Sequence, residues 1–253
     1  MKSLEGKVAI VTGAGSGMGE AIVRLFAKKG AKVVVSDLNQ ASMDRVVNDI
    51  KCKQCPIIGV LSDVSKLEDL ERLVAETLNA FGTIDILVNN AGVLDNFMTV
   101  DALDVKRWEK VMDVNVKGPT ILSQLVIKHL LEKKKPGVII NTASVGGMFG
   151  ARGGVSYVTS KHAVIGLTKN IASVYREDGI RSVAIAPGDI KTNIGNSLKA
   201  PNEKGIHALM QYVATGPTGE AEDVAQVVAF LASDAAKFIN GTVITVDGGW
   251  TGA

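Results

Sequence analysis

The sequence is short of several things, and each shortage removes a class of protein. Aromatic residues make up 4% of its 253 residues, and cysteine occurs only at Cys52 and Cys55. Two cysteines cannot build a disulfide framework, which points to a reducing compartment. No apolar run reaches the ~18–20 residues that a membrane-crossing helix requires. The first apolar stretch, Val8–Thr12, is five residues long and runs into a glycine loop, too short for the core of a signal peptide. Charge of one sign is missing too: 28 basic against 26 acidic residues leave a net +2, and a polycationic face for nucleic acid is not expected. A cytoplasmic protein with no membrane and no nucleic-acid partner is the expectation.

Glycine is abundant, at 27 residues against a usual ~7%, as tight turns and close backbone approaches to a ligand require. Seven short apolar runs punctuate the chain: Val8–Val11, Lys32–Asp37, Ile57–Leu61, Ile84–Val88, Val138–Ile140, Val183–Ile185 and Val243–Val246. They are rich in β-branched residues and mostly lack polar alternation, the mark of strands buried on both faces of a parallel sheet. Helical periods lie between them. Leu67, Leu70, Leu73, Val74, Leu78 and Phe81 share one face, with Ser65 and Glu68 spaced as a capping box. The segment from Ala21 to Lys29 stops at Gly30, a C-cap signal. Strand–helix alternation predicts an α/β, doubly wound fold with right-handed crossovers. No linker or repeat interrupts it, so residues 1–253 are read as one domain. Two long helices, about 105–131 and 155–175, are expected, each apolar on more than one face, which predicts burial against other subunits. Gly249–Thr251 is a candidate for a second contact.

The chemistry-bearing residues follow the strand ends. Thr12-Gly13-Ala14-Gly15-Ser16-Gly17-Met18-Gly19 joins the first strand to the first helix, where a glycine loop lets backbone N–H groups approach a diphosphate. Asp37 ends the second strand, 18 positions after Gly19. A carboxylate there accepts hydrogen bonds from ribose hydroxyls and repels a 2′-phosphate, and neither Ser16 nor Leu38 brings a cation. Tyr157 and Lys161 lie four apart, on one face of a helix. A phenol titrates near ~10, and a cation at ~4 Å in an effective dielectric of ~20 contributes about 4 kcal/mol. That is enough to bring the phenol toward neutrality as a general base.

Taken in order, these motifs resemble the short-chain dehydrogenase/reductase family over essentially the whole chain. Thr12–Gly19 matches its T-G-x-x-x-G-x-G, and Asn89-Asn90-Ala91-Gly92 its N-N-A-G. Asn115 matches its lone helix asparagine, and Ser144 stands 13 residues before Tyr157 of Y-x-x-x-K. Pro187-Gly188-Asp189-Ile190-Lys191-Thr192 matches P-G-x-x-x-T. Asn240-Gly241 and Asp247-Gly248-Gly249 resemble the ending of 3-oxoacyl-carrier-protein reductase-like members. The resemblance implies a Rossmann-type, seven-stranded parallel sheet with helices on both faces, NAD as cofactor, and a homotetramer. It implies Tyr157 as general acid/base, Lys161 lowering its pKa and holding a ribose, Ser144 binding the substrate oxygen, and Asn115 anchoring a water path. For the cofactor it implies Gly13, Ser16, Gly17, Met18, Gly19, Asp37, Leu38, Asp63, Val64, Asn90, Ala91, Gly92, Tyr157, Lys161, Pro187, Gly188, Ile190 and Thr192.

Other features carry less. Cys52-x-x-Cys55 has no second pair for zinc, and His129, His162 and His207 lack ligand spacing, so no metal is expected. Lys133-Lys134-Lys135 suits a helix C-terminus. The expected function is NAD(H)-dependent hydride transfer between the nicotinamide and a ketone or secondary alcohol. A 3-oxoacyl-carrier-protein reductase is one alternative, and a catalytically silent dinucleotide-binding regulator is the alternative of a different functional class. Asp37, and Glu177-Asp178 where carrier-protein reductases resemble one another in basic residues, favour a small or medium substrate. Residues 193–217, with Met210, Tyr212 and Val213, are expected to form its lid.

Overall fold

The computed structural model describes residues 3–51, 55–213 and 216–252, with the side chains of residues 196, 197 and 213 left aside. Cys52 falls outside them, and the C-x-x-C pair with it.

Seven parallel strands form one sheet: β1 (Val8–Thr12), β2 (Lys32–Asp37), β3 (Ile57–Leu61), β4 (Ile86–Asn89), β5 (Gly137–Thr142), β6 (Ile180–Pro187) and, last in the chain, β9 (Val243–Val246). Their order is β3-β2-β1-β4-β5-β6-β9. Each expected apolar run is a strand, and the order reverses between β1 and β4, the switch point where such sheets bind ligands. Side chains alternate between two cores. Ala9, Val11, Val33, Val35, Ile86 and Val88 pack with helices α1 (Gly17–Lys28), α2 (Gln40–Lys51) and α8 (Ala221–Ala232). Ile10, Val34, Leu87 and Ile139 pack with α3 (Leu67–Phe81) and α5 (Gly118–Lys133). Both faces are thus covered, which is why these strands show no polar alternation.

Two local expectations are corrected. Ser65 and Glu68 make no capping box: α3 starts after Lys66, and the Ser65 N–H and hydroxyl both donate to Asp63 Oδ1. The Asp69 carboxylate, a stronger acceptor than a hydroxyl, instead takes the Asp63 N–H at 2.8 Å. The 105–131 segment is not one helix but α4 (Val105–Met112), a π turn (Asp113–Lys117) and α5. Pro119 has no N–H to return to the Asn115 carbonyl, so the regular i→i−4 ladder cannot pass.

Beyond β6, β7 (Asp189–Ile190) pairs with β8 (Thr218–Gly219), closing the base of a segment that holds a 3-10 turn (Asn193–Ser197) and α7 (Glu203–Val213). Lys191 and Glu220 form an ion pair beside this pairing. The remaining helix, α6 (Val155–Val174), lies along the β5–β6 side of the sheet. No helix among the described residues is long and apolar enough to cross a membrane.

Candidate active site

A cleft of about 770 Å³ opens at the carboxyl ends of the strands, on both sides of the β1–β4 switch point. Of the catalytic and cofactor-binding residues expected from the sequence, all but Gly19 and Asn115 line it.

At one end lies the β1–α1 turn. A methyl on Gly13 would sit 2.9 Å from Ala91 Cα, and one on Gly19 would sit 2.2 Å from the Gly13 carbonyl oxygen. Only glycine lets the loop lie flat against β4 and lets α1 start beneath it. Gly19 therefore supports the loop from behind rather than facing the cleft. Thr12 Oγ1 accepts the Asn90 and Ala91 N–H groups at 3.0 and 3.1 Å, and Asn90 Nδ2 donates to the Thr12 and Gly13 carbonyls. Asp37 Oδ2 accepts the Gly15 N–H at 2.8 Å and Oδ1 the Asn39 N–H at 2.8 Å. Its carboxylate thus fixes the loop as well as facing the cleft.

At the other end, Ser144 stands two residues past β5, and Tyr157 and Lys161 project from α6. Ser144 Oγ accepts the Gly146 N–H at 3.0 Å and hydrogen-bonds the Tyr157 phenol. Lys161 Nζ is buried and donates to the Thr142 carbonyl at 2.6 Å. The ammonium lies 5.6 Å from the Tyr157 ring centre. Asn115 sits behind them on the π turn. Its Oδ1 accepts the Val93 N–H at 2.9 Å, and its Nδ2 donates to the Val93 carbonyl and to Ser160 Oγ, both at 3.0 Å. Ser160 in turn donates to the Tyr157 carbonyl.

The sequence profile described as Enoyl-(Acyl carrier protein) reductase matches residues 13–251. The chain belongs to the short-chain dehydrogenase/reductase family. It is 40% identical over 249 residues to a 3beta-hydroxysteroid dehydrogenase 2 of Eggerthella lenta, covering 98% of this chain and 96% of that one. Among solved structures, levodione reductase superposes with a TM-score of 0.90 at 34% identity, over 99% of both chains. A 3-ketoacyl-(acyl-carrier-protein) reductase from Brucella melitensis, complexed with NADH, gives 0.87 at 34% identity over 98% of this chain and 100% of that one. The protein is an oxidoreductase of this family with its dinucleotide-binding fold.

The electrostatics of this short-chain dehydrogenase/reductase differ from the sequence expectation at one point. The Tyr157 phenol is pushed above its usual value, first by burial; the Ser144 hydrogen bond lowers it and the Asp95 charge raises it. Lys161 does not reverse this, because burial brings its own pKa down from 10.5 to about 8. A cation that is itself poorly solvated and 5.6 Å from the ring is a weaker aid than one at hydrogen-bond distance.

The cleft fits a dinucleotide. Asn90 Oδ1 and Thr142 Oγ1 are buried polar atoms without a hydrogen-bond partner; both residues line the cleft, and unsatisfied groups of this kind mark a place for a polar ligand.

Several residues escaped the sequence reading. Lys106, Glu109, Lys110 and Asp113 line the cleft from α4 and the π turn that follows it, at a spacing that was readable as one helix face. Arg45 donates to the Gly15 carbonyl and to both oxygens of Glu20; nothing in the sequence joins helix α2 to that loop. Arg152 stacks on Tyr212 at 3.8 Å and on Trp250 at 5.1 Å, and Trp250 Nε1 donates to the Tyr212 carbonyl at 2.7 Å. Trp250 thereby packs on α7 of its own chain. Among the described residues no group of three or more His, Cys, Asp or Glu could hold a metal.

Proposed function

We propose that the protein is an NAD(H)-dependent oxidoreductase that interconverts a ketone and a secondary alcohol, with Tyr157 as general acid/base. The observation that carries this reading is the convergence of a phenol, a hydroxyl and an ammonium, those of Tyr157, Ser144 and Lys161, in a cleft that also reaches Asp37. The bound nicotinamide supplies or accepts the hydride. Ser144 hydrogen-bonds the substrate oxygen, and Tyr157 gives it a proton in reduction or takes one in oxidation. With its pKa raised, the phenol is protonated at neutral pH and suited to reduction, whereas oxidation calls for the phenolate and so for higher pH. Lys161 holds the nicotinamide ribose. Asn115, whose carbonyl Pro119 cannot bond, anchors a water path to Lys161.

Asp37 supports NAD(H) over NADP(H), because a 2′-phosphate beside a carboxylate is repelled. Arg45, the cation bonded to the glycine loop, is committed to Glu20 through two hydrogen bonds, which neutralises its charge toward a phosphate. Gly13, Ser16, Gly17, Met18, Leu38, Asp63, Val64, Ala91, Gly92, Pro187, Gly188, Ile190 and Thr192 complete the cofactor's contacts. Gly19 acts by backing the loop.

A carbonyl or alcohol of small or medium size is the substrate. The 3-oxoacyl-carrier-protein alternative is disfavoured by exposed Glu177 and Asp178 just past α6, and a silent regulator would not require the Tyr–Lys–Ser set. Residues 193–217 form the lid, their two ends joined by the β7–β8 pairing. The chain acts as one domain, in the cytoplasm, as a homotetramer; Phe238, 98% exposed, and the exposed Phe230 and Val174 supply apolar surface for subunit contacts. The test is a matrix of NAD(H) and NADP(H) against ketones and alcohols, run in both directions. Turnover is expected with NADH and ketones; no turnover with either cofactor, or NADPH serving as well as NADH, refutes the respective part.

A further inference from the structure

Asp95, in the loop after β4, is fully buried (0% exposed) and has no ion-pair partner among the described residues. Its Oδ2 accepts the N–H groups of Ser156 at 2.7 Å and of Tyr157 at 3.1 Å. Those are first-turn donors of α6, which have no acceptor within the helix. Met98 of the same loop accepts the third, from Val155, at 2.8 Å. The residue before the helix, Gly154, has no side chain to cap it, and a methyl there would sit 2.3 Å from Asp95 Oδ1. The start of α6 is thus held by a loop some sixty residues upstream, and one of the backbone groups held is that of Tyr157 itself.

The next residues face the other way. Asn96 and Phe97 both adopt left-handed backbone, with φ of 61° and 56°, which residues other than glycine adopt only under constraint. Asn96 Oδ1 accepts the Lys199 N–H at 3.1 Å, and its carbonyl accepts the Asn202 N–H at 2.9 Å. A methyl on Gly205 would lie 1.8 Å from the Phe97 carbonyl oxygen, so α7 is seated directly on this loop. Arg107 of α4 braces it from behind, with Nη2 donating to the Leu94 carbonyl at 2.5 Å.

We propose that Asp95 is a positioning residue for Tyr157, and that Asn96 ties it to residues 199–205, so that seating of the lid and setting of the phenol are one event. This rests on the reading of Tyr157 as the proton-transfer group. The contacts explain the strained pair: two consecutive left-handed residues turn one short loop toward α6 and α7 at once. A substrate that draws the lid down pulls on Asn96, and the neighbouring carboxylate passes that constraint to the first turn of α6. The groups facing the phenol are Ser144 from the end of β5, Lys161 from α6 and Asp95 from this loop; Arg107 stands behind Leu94, and Arg152 is turned to its aromatic stack. The Asp95 charge opposes phenolate formation, so its removal shifts the titration to lower pH.

The experiment uses the full chain with Tyr175→Phe and Tyr212→Phe, which leaves one of the three tyrosines, labelled as 3-fluorotyrosine. In cofactor-free protein, Asp95→Asn is expected to lower the pKa read from the fluorine resonance of Tyr157. In turnover it is expected to reduce kcat roughly 10–100-fold, as a small misplacement of the reacting group does, with KM little changed and the oxidation profile moved to lower pH. Asn96→Gly keeps the positive φ and the backbone bond to Asn202 but deletes the side-chain bond to Lys199; it is expected to speed proteolytic cutting between 199 and 213 and to move the Tyr157 resonance. A drop in melting temperature with unchanged fluorine titration and pH profile would overturn the positioning role. If Asp95→Asn does not fold, Asn96→Gly decides: an unmoved Tyr157 resonance refutes the link. Failure of the tyrosine assignment is read separately, as normal turnover in Tyr157→Phe.

Discussion

At the β1–β3 end of the cleft, the groups that face a ligand are glycine-loop backbone and a few side chains, nearly all drawn from the first 65 residues. At the α6 end they are three side chains whose surroundings come from the loop after β4, the π turn and β5. The first end is shaped by what glycine lacks and by acceptors close by in sequence, such as Asp37 for Gly15. The second is shaped by burial and by partners far along the chain, such as Asp95 for Tyr157. A loop built of backbone binds by shape and dipole and tolerates little change in geometry. A buried set of titratable side chains sets protonation, and pays for it in stability.

The sharpest way to break this contrast is at the α6 end. Tyr157→Phe deletes one hydroxyl, and turnover should fall about 10²–10⁴-fold while circular dichroism and cofactor binding are retained. Near-normal turnover would show that another group moves the proton.

Lys161→Met tests whether that end is held at a cost. The folded pKa of about 8 lies below the ordinary 10.5, so folding disfavours the ammonium. The cost is present in full below about pH 8 and is relieved as pH rises toward 10.5. A shift of that size is on the order of 3 kcal/mol, offset in part by the lost bond to Thr142, worth about 1–2 kcal/mol. At pH 7 the variant should melt higher by about 5 °C and turn over poorly, and its stability should lose the rise between pH 8 and 10.5. A lower melting temperature would show that the Thr142 bond outweighs the buried charge.

At the glycine-loop end the effects should fall on cofactor choice. Asp37→Ala with Leu38→Arg is expected to move the NAD(H)/NADP(H) ratio of kcat/KM by roughly 10–100-fold, the worth of one charge-assisted contact. An unchanged ratio would mean that Asp37 serves the Gly15 turn alone. The smallest effect is expected from Glu20→Gln, which releases the Arg45 guanidinium beside the loop. NADP(H) should then bind about threefold tighter, as for a half-exposed ion pair, with NAD(H) unaffected; isothermal titration would read both.

Much of this molecule was legible in advance, and the misses share a cause. The seven strands, α3 from Leu67 to Phe81 and the glycine loop follow from residues adjacent in sequence. The Ser65 cap failed because Asp63, two positions upstream, takes both the Ser65 N–H and its hydroxyl. The 105–131 helix failed at Pro119, whose missing N–H was in the sequence but whose consequence, a π turn carrying Asn115, depended on neighbours. Arg45, Arg152 and Trp250 found partners that no local pattern names.

What the sequence by itself determined is therefore the set of parts whose physics is local: strand burial from β-branched runs, the loop that only glycine can make, the shared helix face of Tyr157 and Lys161. What only the tertiary structure decided is how charged those parts are and what holds them. Lys161 and the Tyr157 phenol are displaced from their ordinary pKa values first by burial, and burial depends on every element packed around them. The Asp95 carboxylate reaches the Tyr157 N–H across 62 positions of chain. Desolvation and long-range hydrogen bonds belong to the assembled protein, because the dielectric around a group and the partner opposite it come into being only when the chain has folded.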